Sequence, residues 1–186
     1  MLNGTSSAGK STMAAELQRM LTDAGECWLV MSQDDFFARI PFAWLTYGRQ
    51  HIGALAEQGV TLTIVDGVLS RRLGPVGEQL LDAFRAAIAA TARAGVNVIV
   101  DEVLLDEDDW VSWQRHLEGM DVRWIAVTAP LDVLEHRERQ RDDRFDGLAR
   151  SEHDIVHRHA RYDLTIDTAA LTPTQAAAAI LEAGGR

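Results

Sequence analysis

The residues best suited to chemistry open the chain, where Gly4-Thr-Ser-Ser-Ala-Gly-Lys-Ser11 matches the phosphate-binding loop pattern at every required position. The glycines allow backbone N–H groups to approach phosphate oxygens that a Cβ atom would keep away. Lys10 is placed to reach the terminal phosphates, and the Ser11 hydroxyl is placed to ligate Mg²⁺. The helix predicted from Ser11 to about Ala24 points its positive end at the same anion. The predicted nucleotide-binding residues are Gly4, Thr5, Ser6, Ser7, Ala8, Gly9, Lys10, Ser11 and Thr12.

Two pairs of acidic residues follow predicted strands, Asp34-Asp35 after 27–31 and Asp101-Glu102 after 96–100. In parallel α/β sheets the ligand site lies at the carboxyl ends of the strands. Asp101 follows an apolar strand, which is a typical position for a carboxylate that orients Mg²⁺ through water. A capping acid or a solvated loop acid is the alternative interpretation. For Glu102 two interpretations stay open, an acid that activates water for nucleotide hydrolysis or a residue that contacts substrate.

Asp34 and Asp35 begin a predicted helix, and Asp34 lies nearer the end of the strand. Phosphoryl transfer to an alcohol requires a group that orients the hydroxyl and accepts its proton. We therefore predict that Asp34 is the general base, while an N-cap role remains the simpler reading of either acid. Asp35, Phe37 and Trp44 are predicted to contact the acceptor, as is Glu102.

A run of basic residues ends the helix predicted over 131–144. On that helix Arg137, Arg141 and Arg144 would stand at positions i, i+4 and i+7 and share one face. Neighbouring like charges disfavour a helix slightly but become favourable against a polyphosphate. The spacing predicts a lid at about 137–150 in which Arg137 and Arg141 bind the nucleotide, and Arg141 and Arg144 stabilise the transferring phosphoryl group. A solvated basic surface is the alternative.

The elements that must position these residues alternate between strands and helices, which is typical of an α/β fold with a parallel sheet covered on both faces. Strands are predicted at 27–31, 96–100, 122–127 and 164–166, and a hairpin with an Asp-Gly turn at 61–70. Helices are predicted at 11–24, 79–94, 110–117, 131–144, 151–161 and 172–183, and segment 41–58 is predicted to be mixed and partly helical. Only three residues precede Gly4, so the first strand is very short or incomplete here.

Composition narrows the functional classes. The 186 residues are expected to form one domain, residues 1–186, and a net charge of −10 argues against sequence-independent binding of nucleic acid. Cys27, the sole cysteine, is expected to be inert packing within a buried strand. No long apolar run is present, so a cytoplasmic protein without a membrane partner is expected.

Several motifs together resemble the chloramphenicol phosphotransferase family of P-loop kinases. They are Leu2-Asn-Gly-x-Ser-Ser-Ala-Gly-Lys-Ser11, Asp34 seven residues before Pro41, Val98-Ile-Val-Asp-x-Val103, Arg137-Glu-x-x-Arg-x-Asp-Arg144, Tyr162-Asp163 and Ile166-Asp-Thr168. The resemblance implies a five-stranded parallel sheet with helices on both faces and an arginine-bearing lid. It also implies ATP and Mg²⁺ as cofactors. Asp34 would be the catalytic aspartate, Lys10 and Ser11 would bind the phosphates and Mg²⁺, and Arg141 and Arg144 would belong to the lid.

The resemblance further implies transfer of the ATP γ-phosphate to a hydroxyl of a small molecule, in the type case an antibiotic that is thereby inactivated. Asp35, Glu102 and the segment 42–78 depart from the family pattern, so the acceptor stays open between chloramphenicol-like and nucleoside- or sugar-bearing compounds. Two alternatives are retained, a nucleotide hydrolase or switch that uses Glu102 and a non-enzymatic nucleotide-binding module. Homo-oligomerisation is also left open.

Overall fold

The computed structural model describes residues 1–48, 51–66, 68–141 and 147–185. The strands are β1 (Leu2–Asn3), β2 (Trp28–Ser32), β3 (Leu45–Tyr47), β4 (His51–Ile52), β5 (Val60–Val65), β6 (Val68–Leu73), β7 (Asn97–Glu102), β8 (Ile125–Thr128) and β9 (Leu164–Asp167). The helices are α1 (Lys10–Asp23), α2 (Gln33–Phe37), α3 (Pro75–Arg93), α4 (Glu107–His116), α5 (Leu131–Glu138), α6 (Leu148–His153) and α7 (Pro173–Ala183).

The larger sheet has five parallel strands, which confirms the sheet that the family resemblance implies. Their order is β2-β7-β1-β8-β9. Successive residues of a strand point to opposite faces, and β7 illustrates this. Ile99 packs with α1 and α7 in one buried cluster, whereas Val100 packs with α3 and α4 in the other. Although β1 has only two residues, it is the central strand, and both of its residues are buried.

A smaller sheet of four strands, in the order β4-β3-β5-β6, accompanies the larger one. The predicted hairpin is confirmed by the antiparallel pair β5 and β6, although Gly67 of its turn lies outside the described residues. Segment 41–58, predicted to be mixed and partly helical, contains a 3₁₀ helix at Phe42–Trp44 and the short strands β3 and β4 among its described residues. Strands of two or three residues are too short for a period-2 pattern to reveal.

The helix predicted over 131–144 is wrong at its C-terminal end, because α5 ends at Glu138. The Glu138 carboxylate is buried and accepts hydrogen bonds from the backbone N–H groups of Gly147 and Ala149, which returns the chain toward α6. Arg137 and Arg141 therefore do not share a helix face. Arg144, the third residue of the predicted stripe, lies outside the described residues, as does part of the predicted lid.

Cys27 also differs from expectation. It is exposed, and it immediately precedes β2, which is an edge strand of the larger sheet and only partly buried. Across the described residues, no helix combines the length and the apolar character that crossing a bilayer would require.

Candidate active site

The register of three neighbouring strands brings the predicted site residues together. Ser32 at the end of β2 pairs with Asp101 of β7, and Asn3 at the end of β1 pairs with Glu102. The carboxyl ends of β2, β7 and β1 are thus level, and the segments that leave them meet at one edge of the sheet. Asp34, in the second helical position after β2, lines the same cleft as residues of the phosphate loop.

The phosphate loop connects β1 to α1, and its first residue packs closely against the backbone of a neighbouring strand. A Cβ atom on Gly4 would lie 2.2 Å from the carbonyl oxygen of Val127, so only glycine fits there. Gly9 precedes α1 with φ of 91°, in the left-handed region that glycine adopts without strain. Lys10 folds back over the loop, and its Nζ donates to the carbonyl oxygens of Gly4 at 2.9 Å and Thr5 at 3.0 Å.

Ser11 and Asp101 form a pair of oxygen ligands beside the loop. The Ser11 hydroxyl donates to Oδ2 of Asp101 at 2.6 Å, and Lys10 Nζ lies 3.9 Å from Oδ1 of the same carboxylate. A hydroxyl and a carboxylate are the hard oxygen donors that Mg²⁺ prefers, and Mg²⁺ usually keeps several of its waters. The donor set therefore fits the predicted Mg²⁺, with Ser11 and Asp101 as the residues that would hold it.

A cleft of about 330 Å³ lies between the phosphate loop and the smaller sheet. Its lining includes most predicted site residues, namely Ser6, Ser7, Gly9, Lys10, Ser11, Thr12, Asp34, Phe37, Asp101, Glu102 and Arg141. Asp35 and Trp44 are not among the lining residues. The N-cap of α2 is Ser32, whose hydroxyl accepts from the backbone N–H of Asp35, so neither acid is needed as a cap.

A larger cavity, about 490 Å³, lies at the opposite edge of the main sheet. Its lining includes Trp28, Asn97 and Ile125, which are the first residues of β2, β7 and β8. Because ligands of α/β sheets bind at the carboxyl ends of strands, and because the phosphate loop is there, we assign the candidate active site to the smaller cleft.

Glu102 is held as a buried acid within the wall of the cleft. It is 1% exposed, and its Oε1 accepts a hydrogen bond from Nε2 of Gln33 at 2.8 Å. Burial, and next the negative charge of Asp109, raise the pKa of Glu102 to about 8, although Arg85 opposes the shift. At neutral pH such a carboxyl holds its proton and cannot accept one from water. Burial of Glu102, through its raised pKa, thus argues against this residue as the base of a hydrolase.

Arg137 stands behind the phosphate loop. Its guanidinium donates to the Thr168 hydroxyl at 2.8 Å and to the Thr168 carbonyl at 2.9 Å. The Thr168 hydroxyl in turn donates to the carbonyl of Ala8 at 2.8 Å. Arg137, predicted from sequence as a nucleotide contact, thus supports the loop through Thr168.

Sequence reasoning missed several residues that contribute to the cleft or its support. Ser6 donates its backbone N–H to the buried carboxylate of Glu152, and Arg71 of β6 lines the cleft. Of these residues, Thr168 belongs to a sequence motif, Ile166-Asp-Thr168, which could have drawn attention to it. No sequence motif singles out the remaining ones, Gln33, Arg71 and Glu152.

Comparison with solved structures identifies the class of the fold. The APS kinase of Mycobacterium tuberculosis, solved with AMPPNP and APS, aligns with a TM-score of 0.66 and 16% identity over 100% of this chain and 95% of its own. A sugar kinase from Janibacter aligns with a TM-score of 0.65 and 18% identity over 99% of this chain and 92% of its own. These likenesses show that the chain has the fold of P-loop kinases.

The family follows from sequence comparison. Residues 1–184 match the profile described as chloramphenicol phosphotransferase-like protein. Two curated relatives, from two strains of Mycobacterium tuberculosis, are provisionally named O-phosphotransferases. Each is 30% identical over 176 residues, which cover 91% of this chain and 74% of the relative. The chain belongs to the chloramphenicol phosphotransferase-like family and is a small-molecule phosphotransferase of the P-loop type, as the sequence resemblance implies.

Proposed function

We propose that this protein is an ATP- and Mg²⁺-dependent O-phosphotransferase that moves the γ-phosphate to a hydroxyl of a small molecule bound in the cleft. The acceptor is an antibiotic, chloramphenicol-like or bearing a nucleoside or sugar, and the product confers resistance or self-protection. The reaction takes place in the cytoplasm and is carried out by a single domain. The observation that carries the proposal is that Asp34 lines the same cleft as Lys10 and Ser11.

Asp34 performs the proton transfer. The carboxylate orients the acceptor hydroxyl toward the γ-phosphorus and takes up its proton as the new O–P bond forms. The bond between the γ-phosphorus and the bridging oxygen breaks at the same time, and ADP leaves with that electron pair. The products are a phosphate ester and ADP, with the proton left on Asp34.

Cationic residues in the cleft stabilise the phosphates. Lys10 donates hydrogen bonds to carbonyl groups of the phosphate loop, and both Lys10 and Arg141 line the cleft. Both are positioned by the protein before the reaction, which is the condition under which charges lower a barrier effectively. Mg²⁺ held by Ser11 and Asp101 would neutralise further charge on the phosphate oxygens when bound.

The test is a panel of hydroxyl-bearing antibiotics incubated with ATP and Mg²⁺, with mass spectrometry to detect the gain of one phosphate group. Asp34→Asn should lower the transfer rate by about 10²- to 10⁴-fold. Nucleotide affinity should change little, because the proposed role of Asp34 is to bind the acceptor hydroxyl and not the nucleotide.

Asp35→Asn is the matched control, since it alters the neighbouring acid, which does not line the cleft. Transfer by the Asp34→Asn protein at nearly the wild-type rate would show that the base is assigned to the wrong residue. ATP hydrolysis without any acceptor, abolished by Glu102→Gln, would favour the hydrolase instead.

A further inference from the structure

The smaller sheet contributes a charged residue to the lining of the cleft. Arg71 projects from β6, its side chain is 10% exposed, and it lines the cleft. Its Nη2 lies 2.6 Å from Oδ2 of Asp106, and its Nη1 lies 2.8 Å from Oδ2 of Asp109. Burial would lower the pKa of Arg71, but Asp109 and Asp106 outweigh it and hold that pKa above its usual value.

The two ion pairs decide what Arg71 can recognise. An arginine that already faces two carboxylates has little net charge to offer a third, yet its guanidinium has five N–H donors. A neutral oxygen, such as that of an amide or a hydroxyl, can accept from a remaining donor. A carboxylate on the ligand would instead meet Asp106 and Asp109 as like charges.

Glu102 adds a second polar atom beside Arg71. Its Oε2 is buried and has no hydrogen-bond partner among the residues that the structure describes. A buried polar atom without a partner destabilises a protein, so such atoms in native folds usually have a partner. Arg71 and Glu102 line the same cleft, and each charge acts on the pKa of the other group.

Apolar side chains surround these polar groups. Leu45 of β3 and Leu62 of β5 come from the smaller sheet, and Leu105 follows β7. Cofactor and substrate pockets commonly combine such apolar walls with a few polar groups that select the ligand. The walls favour a ligand with an apolar body between its two polar ends.

We propose that Arg71 and Glu102 form an acceptor subsite that selects an uncharged hydrogen-bonding group, separated by an apolar body from the hydroxyl at Asp34. This inference rests on the proposed function, because it assumes that the cleft holds the phosphate acceptor. It assigns a specificity role to Arg71, which discriminates against acceptors that carry a carboxylate at this position.

The experiment compares Arg71→Met with Arg85→Met. Arg85 pairs with the same Asp109 and is buried, but it does not line the cleft, so its variant disturbs the ion-pair network without removing a hydrogen-bond donor from the cleft. The acceptor panel consists of aromatic amide alcohols, including chloramphenicol, each paired with an analogue in which a carboxylate replaces the amide. The KM for acceptor, the KM for ATP, kcat and the melting temperature are measured for each protein.

Arg71→Met should raise the KM of the amide acceptors by about tenfold or more, the usual effect of losing a hydrogen bond to a charged group, with the KM for ATP nearly unchanged. Arg85→Met should lower the melting temperature and leave both KM values near those of the wild type. The wild type should prefer each amide to its carboxylate analogue. An equal rise of acceptor KM in both variants, or equal use of carboxylate acceptors, would overturn the inference while leaving the transfer function intact.

Binding separates the two proposals if no compound of the panel is phosphorylated. That result would count against the proposed acceptors, and the subsite would then be judged from ligand-induced shifts of melting temperature in the presence of AMPPNP. Amide compounds that stabilise the wild type and Arg85→Met, but not Arg71→Met, would support the subsite. Equal stabilisation of all three proteins, or of none, would overturn it.

Discussion

Glu102→Gln should stabilise the folded protein by an amount that grows with pH. Folding moves this carboxyl into a site that is 1% exposed, where burial and then Asp109 raise its pKa from 4.5 to about 8. Between these two pH values the folded protein keeps a proton that the unfolded chain loses. The free energy of unfolding of the wild type therefore falls as pH rises through this window and levels off above it.

The magnitude follows from the size of the shift. Each pKa unit corresponds to about 1.4 kcal/mol. The change from 4.5 to about 8 therefore amounts to about 5 kcal/mol of stability lost by the wild type across the window. Glutamine has nearly the same shape, carries no proton to lose, and retains a carbonyl oxygen that can accept from Gln33. The difference between variant and wild type should thus rise with pH by several kcal/mol, whatever constant offset the new amide introduces.

The assay is urea unfolding of the nucleotide-free protein, followed by tryptophan fluorescence at a series of pH values from about 5 to about 9. Glu118→Gln serves as the control, because it makes the same chemical change at an exposed position after α4. A stability difference for Glu102→Gln that stays constant with pH, or that falls, would refute the reasoning. Glu102 would then be ionised in the folded protein, with Arg85 and Arg71 as its counterions.

Two further predictions concern the supports of the site. Thr168→Val removes the hydroxyl that joins Arg137 to the Ala8 carbonyl; it should cost about 1–2 kcal/mol of stability and weaken nucleotide binding, and isothermal titration that finds unchanged affinity would contradict this. Glu138→Gln leaves one amide oxygen to accept from two backbone N–H groups and should cost about 1–3 kcal/mol in urea unfolding. Glu135→Gln, at a more exposed ion pair with Arg150, should cost less, and equal losses would show that burial of Glu138 is unimportant.

Much of the site could be predicted from sequence because its signals are local. The phosphate loop occupies eight consecutive positions. Asp34 shortly follows β2 and Asp101 lies near the end of β7, and apolar runs in the sequence reveal both strands. Once a parallel sheet is predicted, the rule that ligands bind at its carboxyl edge brings these segments together. The structure places all three in one cleft, although their catalytic roles stay predictions.

The remaining features depend on contacts between residues distant in sequence. Alternation along β6 places Arg71 on the same face as Leu69 and Leu73, but it does not reveal that Arg71 meets Asp106, 35 residues away. The position at which α5 ends also depends on contacts outside the helix. Helical periodicity continues through Arg144, but the Glu138 carboxylate binds the backbone of the returning chain and stops the helix early.

The neutral state of Glu102 also bears on how one cleft can hold both a polyphosphate and an acceptor. Asp34 and Asp101 already place two carboxylates in the cleft, and Lys10 lies 3.9 Å from the second of them. A third negative charge at position 102 would repel the γ-phosphate and would compete for the charge of Lys10. A protonated Glu102 adds no charge while its Oε1 still accepts from Gln33, the residue before Asp34. We therefore expect the burial that makes Glu102 a poor base for water to let it hold Gln33, next to the proposed base, without adding negative charge to the cleft.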